Sequence, residues 1–156
     1  MKPEVVKLDL VEDHIALVRF ANPPVNAHSQ QLLEEVAWTF DTISDRDDIR
    51  VAVLTGDGKC FCAGALALAA SCDILIASEN GCLGLPEINV GLLGGGRHAQ
   101  RLFGHSRQRR MMLTGLRVFG PELYRLGIVE ACTAPDELME AALGIAREIA
   151  GKSPIA

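Results

Sequence analysis

Aromatic residues are scarce in this chain: one Trp, one Tyr and five Phe, 4% of 156 residues. With so few rings to stack on bases and a formal net charge of -5, nucleic acid is not an expected partner. Long apolar runs are lacking too. Charge, glycine or proline interrupts every stretch short of the roughly 18 residues that span a bilayer, so no membrane association is expected. The N-terminal MKPEVVKLDLVED has no apolar signal core, and the five cysteines (Cys60, Cys62, Cys72, Cys82, Cys132) form an odd set without a CxxC pair. Both features point to a reducing, cytoplasmic setting. The four histidines show neither HxH nor HExxH spacing, and Cys60 with Cys62 makes no metal signature, so no metal site is expected.

What is present suits one buried core. A chain of this length that is 49% hydrophobic can fold without disulfides or metal, and no repeat, low-complexity tract or linker divides it. Val6, Leu8 and Leu10 alternate with Lys7 and Asp9, and after Glu12-Asp13-His14 the run Ile15 to Phe20 is again β-rich, which predicts a hairpin. Beyond the Asn22-Pro23-Pro24 breaker, Leu32, Leu33, Val36, Phe40 and Ile43 recur every three or four residues, the period of an amphipathic helix over Ser29 to Asp45. The apolar Val51 to Thr55 reads as a strand buried on both faces, ended by Gly56-Asp57-Gly58. A buried helix is expected over Ala63 to Cys72 and a strand at Ile74 to Ile76. Short helices are expected at Arg97 to Phe103, Ser106 to Leu113 and Pro121 to Leu126, and a longer one at Pro135 to Ala150, with Asp136 and Glu137 at its positive end and Gly151 after it. Strands interspersed with helices give an α/β class.

Few residues stand out chemically. Glu87 is the only carboxylate in the glycine-rich, apolar stretch Gly81 to Gly96. Desolvation there would disfavour its charged form and suit it to proton transfer; the alternative is a cap or ion pair to a neighbouring loop. Cys62-Ala63-Gly64-Ala65 follows a strand and a glycine turn and leads into a helical run. Free backbone N–H groups at such a junction stabilise a developing oxyanion, although a tight strand-to-helix connection has the same look. Gly56-Asp57-Gly58-Lys59 is no phosphate loop, because Val53 stands where GxxxxGK needs its first glycine and Cys60 replaces the Ser or Thr. Gly94-Gly95-Gly96 lacks the GxGxxG pattern of a dinucleotide site. Arg97, Arg101, Arg107, Arg109 and Arg110, with His98 and His105, form a local basic segment, read as a solvated helical face or a subunit contact.

Taken together, VAVLTGDGKCFCAGA, CDILIASENGCLGLPEINVGLLGGGRHAQRL, MMLTG and LGIVEACTAPDEL, preceded by ANPPVNAHS, resemble the enoyl-CoA hydratase/isomerase (crotonase) family in the family's own order. The resemblance implies a crotonase-like spiral of ββα units, assembly as a homotrimer or hexamer, and an acyl-CoA thioester as substrate. Its enolate would be held by backbone N–H groups, with no cofactor beyond the coenzyme A of the substrate. ANPPVNAHS matches the family's coenzyme A loop, which makes Val25 and Ala27 substrate-binding together with Ala63, Gly64 and Ala65. Ala65 matches the first oxyanion donor, and Glu87 matches the later of the two glutamates that hydratases use.

The departures from the family pattern are specific. Ala65 runs directly into Leu66, so a family segment containing the second oxyanion glycine is absent at 65/66, and only Gly64 is left to serve. Ala67 stands where the earlier glutamate would be, and the chain reaches KSPIA before the family's C-terminal helices. Two motifs fused without a linker would leave an exposed edge in a stable deletion, so the chain is expected to be part of a longer protein. The implied function is an enoyl-CoA hydratase or isomerase type of enzyme with Glu87 as acid and base. The alternative is a catalytically inactive acyl-CoA-binding or oligomer-subunit member.

Overall fold

A computed structural model describes residues 3–64 and 66–153. They fall into two compact units, the first of residues up to 63 together with those from 142 on, the second of residues 64–141.

In the first unit the alternating N-terminal residues form the expected hairpin. β1 (Val6–Glu12) runs antiparallel to β2 (Ile15–Phe20), with Val6 opposite Phe20 and a one-residue irregularity between Leu10 and Glu12. His14 makes the turn at a φ of 65°. β3 (Val51–Gly56) joins β2 in parallel, Ile15 opposite Val51, to give the order β1-β2-β3. Ile15, Ala16, Val18 and Phe20 of the central strand are fully buried. β3 departs from expectation: it lies at the edge of this sheet and is half-buried throughout rather than covered on both faces. A short apolar run looks the same in a central strand and in an edge strand with one face covered.

α1 (Gln30–Ser44) lies one residue inside the expected Ser29 to Asp45 at each end, and the Ser29 hydroxyl caps it by accepting from the Leu32 N–H at 3.1 Å. Its inner face carries Leu32 and Val36, and also two polar residues, Glu35 and Thr39. One Glu35 oxygen accepts the N–H groups of Glu4, Val5 and Val6 at 2.9, 2.8 and 2.9 Å, and the other accepts from Gln31 Nε2 at 2.9 Å. The helix thereby holds the start of β1 through a carboxylate where periodicity alone would place a leucine.

Gly56 ends β3 because the chain folds back over it. A Cβ there would lie 2.7 Å from the Cys60 carbonyl oxygen and 2.8 Å from Asn26 Nδ2, and closer still to the Phe61 carbonyl. Gly56→Ala should cost about 1–3 kcal/mol. The expected reading is a lower midpoint of urea unfolding at unchanged slope, and an unchanged midpoint would refute the crowding.

α6 (Leu138–Ala150) starts three residues later than Pro135, with Asp136 and Glu137 in the preceding turn. Its second half belongs to the first unit, where Ala146 and Ala150 pack with Ile15 and with Val51, Val53 and Leu143. Arg50 donates to the carbonyls of Ala150 at 2.9 Å and Lys152 at 3.4 Å, and Arg147 grips both oxygens of Glu12 at 2.9 and 2.8 Å.

The second unit is made of short elements. α2 (Leu66–Ala69) is much shorter than the helix expected over 63–72, and β4 (Ile76–Ser78) begins at the end of the expected Ile74 to Ile76 strand. β5 (Cys82–Gly84) leads into a 3-10 turn at Pro86–Val90, and α3 (Gly96–Ala99) and α4 (His105–Thr114) follow. β6 (Arg117–Phe119), α5 (Gly120–Arg125) and β7 (Ala131–Thr133) complete it. β4 pairs in parallel with β7, and β5 pairs antiparallel with β6. Leu66, Leu85, Ala99, Phe103, Met111, Val118, Leu123 and Val129 form its core. No described helix is long and apolar enough to cross a membrane.

Candidate active site

Glu87 sits in the 3-10 turn that Pro86 opens, a residue whose fixed φ and missing N–H suit a first helical position. The turn closes on Gly91 in the left-handed region, whose N–H donates to Ile88 O at 3.1 Å, while Leu92 N–H donates to Glu87 O at 3.0 Å. The Glu87 side chain is half-buried, and its Oε2 is shielded from solvent with no hydrogen-bond partner among the described residues. Neither the cap nor the ion pair that would make this carboxylate merely structural is present among the described residues. An unpaired buried carboxylate oxygen is costly unless something else, such as a substrate proton, meets it. The residues just beyond it, Val90, Leu92 and Leu93, are 75%, 63% and 60% exposed, an uncovered apolar rim.

The other candidates lie on the loop after β3 and on the loop after β2. Ala63 N–H donates to Val25 O at 3.0 Å, and Ala63 O accepts from His28 N–H at 3.0 Å. Val25, Ala27 and Ala63 are thus brought together in the first unit, each with an exposed face. Gly64 is exposed and has a φ of 86°, which a Cβ would strain. Gly64 and Glu87 belong to the second unit, and no hydrogen bond among the described residues joins them. Ala65, expected as the oxyanion donor, lies outside the described residues. Ala67, at the position matching the family's earlier glutamate, is half-buried in α2.

The cysteines beside this segment are poor nucleophiles. Burial pushes the Cys62 thiol up to about 11, with Cys60 adding to the effect, and burial likewise raises Cys72, with Asp73 contributing. A thiol held protonated at neutral pH does not attack a thioester. Among the described residues no cluster of three His, Cys, Asp or Glu side chains is placed to hold a metal ion.

The basic segment is a mostly exposed face. Arg97, His98, Arg101, His105, Arg109 and Arg110 are exposed, whereas Arg107 meets Glu122 at 3.3 Å, and Glu122 also takes Arg125 at 2.6 Å. An open cleft of about 620 Å³ beside it is lined by Gly104, His105, Ser106, Arg107, Arg110 and Leu126, none of them a candidate site residue. Sequence reasoning overlooked Asn26, which lies between Val25 and Ala27 and is 2% exposed.

This mixed α/β chain has the crotonase fold of solved enoyl-CoA hydratases. The enoyl-CoA hydratase subunit I structure from Geobacillus kaustophilus HTA426 superposes with a TM-score of 0.91 at 26% identity, over 97% of this chain and 77% of that one. The family model for enoyl-CoA hydratase/isomerase matches residues 11–66 and 65–156, and the chain belongs to that family. YngF of Bacillus subtilis (strain 168), whose name places it among the enoyl-CoA hydratases and isomerases, is 30% identical over 195 positions, covering 92% of this chain and 75% of its own length. A carboxyl-CoA hydrolase of Mycobacterium tuberculosis acting on a methyl-dioxo-hexahydroindene is 39% identical over 93 residues, 59% of this chain and 38% of that one. The two pieces of the family match meet at 65/66. Since 92% of 156 residues is about 144, some 51 of the 195 positions aligned with YngF have no counterpart here.

Proposed function

We propose that this chain binds an acyl-CoA thioester and that Glu87 moves a proton to or from the acyl group, as in an enoyl-CoA hydratase or isomerase. The observation that carries the reading is the shielded Oε2 of Glu87, without a hydrogen-bond partner among the described residues, on a turn followed by the exposed apolar Val90, Leu92 and Leu93. A thioester enolate carries its charge on the carbonyl oxygen, and N–H groups at Gly64 and Ala65 are the donors left to meet it. Glu87 then works as general base toward a carbon-bound proton or an attacking water, and returns the proton as general acid. With Ala67 in place of a second carboxylate, isomerisation by one glutamate is favoured over hydration by two. The coenzyme A portion enters against Val25 and Ala27, no separate cofactor is needed, and the protein assembles as a homotrimer or hexamer in the cytoplasm.

A second reading is a catalytically silent acyl-CoA binder or oligomer subunit. It is favoured by Ala67 and by the meeting of the two family matches at 65/66, since loss of one oxyanion donor costs about 10²–10³ in rate. Titrating the purified chain with crotonyl-CoA, following loss of the conjugated enoyl chromophore, and with a 3-enoyl-CoA, following its gain, separates the two. Binding with turnover supports the enzyme, binding without turnover supports the silent member, and no binding sinks both.

A further inference from the structure

Asn26 uses its whole amide to hold one loop against another. Its Oδ1 accepts the Asn22 N–H at 2.8 Å, and its Nδ2 donates to Asp57 O at 3.0 Å and to Cys60 O at 2.7 Å. Its own N–H donates to Asn22 O at 2.8 Å, closing the turn around Pro23 and Pro24. Its φ of 50° is left-handed, a conformation that asparagine tolerates better than other residues with a side chain. The absence of a Cβ at Gly56 leaves Nδ2 the room to reach both carbonyls. Flanking this amide are the two backbone bonds of Ala63, to Val25 O and from His28 N–H. The exposed edge of Val25, Ala27 and Ala63 therefore rests on a buried side chain that no substrate would touch.

We infer that Asn26 is a positioning residue: its amide sets the spacing between the loop 22–28 and the segment 57–63, and with it the affinity for the acyl-CoA thioester. Only an asparagine meets all three demands, one acceptor, two donors and a positive φ. Aspartate has the same shape but supplies acceptors only, so two carbonyl oxygens would face a carboxylate. The inference rests on the acyl-CoA reading given above.

Asn26→Asp tests it by calorimetric titration with crotonyl-CoA. Near neutral pH the variant should bind about 10- to 100-fold more weakly than wild type, because two half-buried carbonyls lose their donor and face a carboxylate. At about pH 5 a carboxyl pressed against two carbonyls takes up a proton, regains one donor and should recover much of the loss. The ionisable groups around it are the Asp57 side chain, engaged by Lys7 at 3.6 Å and Arg19 at 3.4 Å, together with Cys60 and His28. Wild type titrated at both pH values accounts for them. Asn26→Gly keeps the positive φ and should weaken binding without the recovery at low pH, and it stands in if the aspartate variant does not fold. Equal affinity of wild type and Asn26→Gly, or of wild type and a folded Asn26→Asp, would overturn the inference. No binding by wild type would instead sink the acyl-CoA reading and the inference with it.

Discussion

Glu87→Gln should lower enoyl-CoA turnover by about 10²–10⁴-fold while leaving acyl-CoA affinity within a few fold. Glutamine keeps the length and shape of the side chain, so the 3-10 turn at Pro86–Val90 and its closure on Gly91 stay intact. What is lost is the ability to take and return a proton. Removal of a group that acts only in the transition state lowers kcat and kcat/KM together, with KM nearly unchanged. Turnover equal to wild type would show that another group carries the proton. The substitution should also leave the folded state no less stable, since it replaces a carboxylate oxygen that has no partner among the described residues.

The largest effect on stability is expected at Glu35. Glu35→Ala leaves the N–H groups of Glu4, Val5 and Val6 without their acceptor and Gln31 Nε2 without its partner. The Val6 amide is buried and the other donors are partly open to water, so the loss amounts to about 2–4 kcal/mol, read as a lower midpoint in chemical denaturation. Burial pushes the Glu35 carboxyl up, but the hydrogen bonds from Gln31 and from the three amides outweigh it and hold the carboxyl below its ordinary range. The sign follows from linkage. A carboxyl depressed in the folded state contributes stability that is fully present above its unfolded value, about 4.3, and is lost as pH falls through the folded value. The stability gap between wild type and Glu35→Gln should therefore narrow on acidification below that range. A gap that is constant with pH would mean that shape rather than charge makes the contact.

The hairpin, α1 and α6 were legible because each repeats one pattern long enough to be unambiguous: alternation in Val6 to Leu10, and apolar residues every three or four positions in Leu32 to Ile43 and Leu138 to Ile149. The expected Ser29 to Asp45 overran α1 by one residue at each end. The second unit was harder to read, because its helices and strands are mostly three to six residues long and are held by the cluster around Met111 and Leu123 rather than by their own periodicity. Edge and centre were indistinguishable for β3, since Val51 to Leu54 would be apolar in either place. Glu35 and Thr39 lie on the buried face of α1, where the pattern alone would expect aliphatic residues. Glu87 was visible because isolation in an apolar stretch is a local property. Asn26 was not, because its partners Asp57 and Cys60 lie 31 and 34 positions away and are backbone carbonyls, which no residue type advertises.

The first unit draws its parts from both ends of the sequence, and this governs when it can form. Arg147 meets Glu12 across 135 positions, Arg50 reaches Ala150 across 100, and Ala146 and Ala150 cover Ile15. Contacts so distant in sequence carry a loop-closure cost and slow the search for the native state. On the ribosome the β1–β3 sheet would emerge with Ile15, Val51 and Val53 bare, and it would wait through the synthesis of residues 64–141 before α6 arrived to cover them. During that interval the edge strand β3 is available to pair with neighbouring chains.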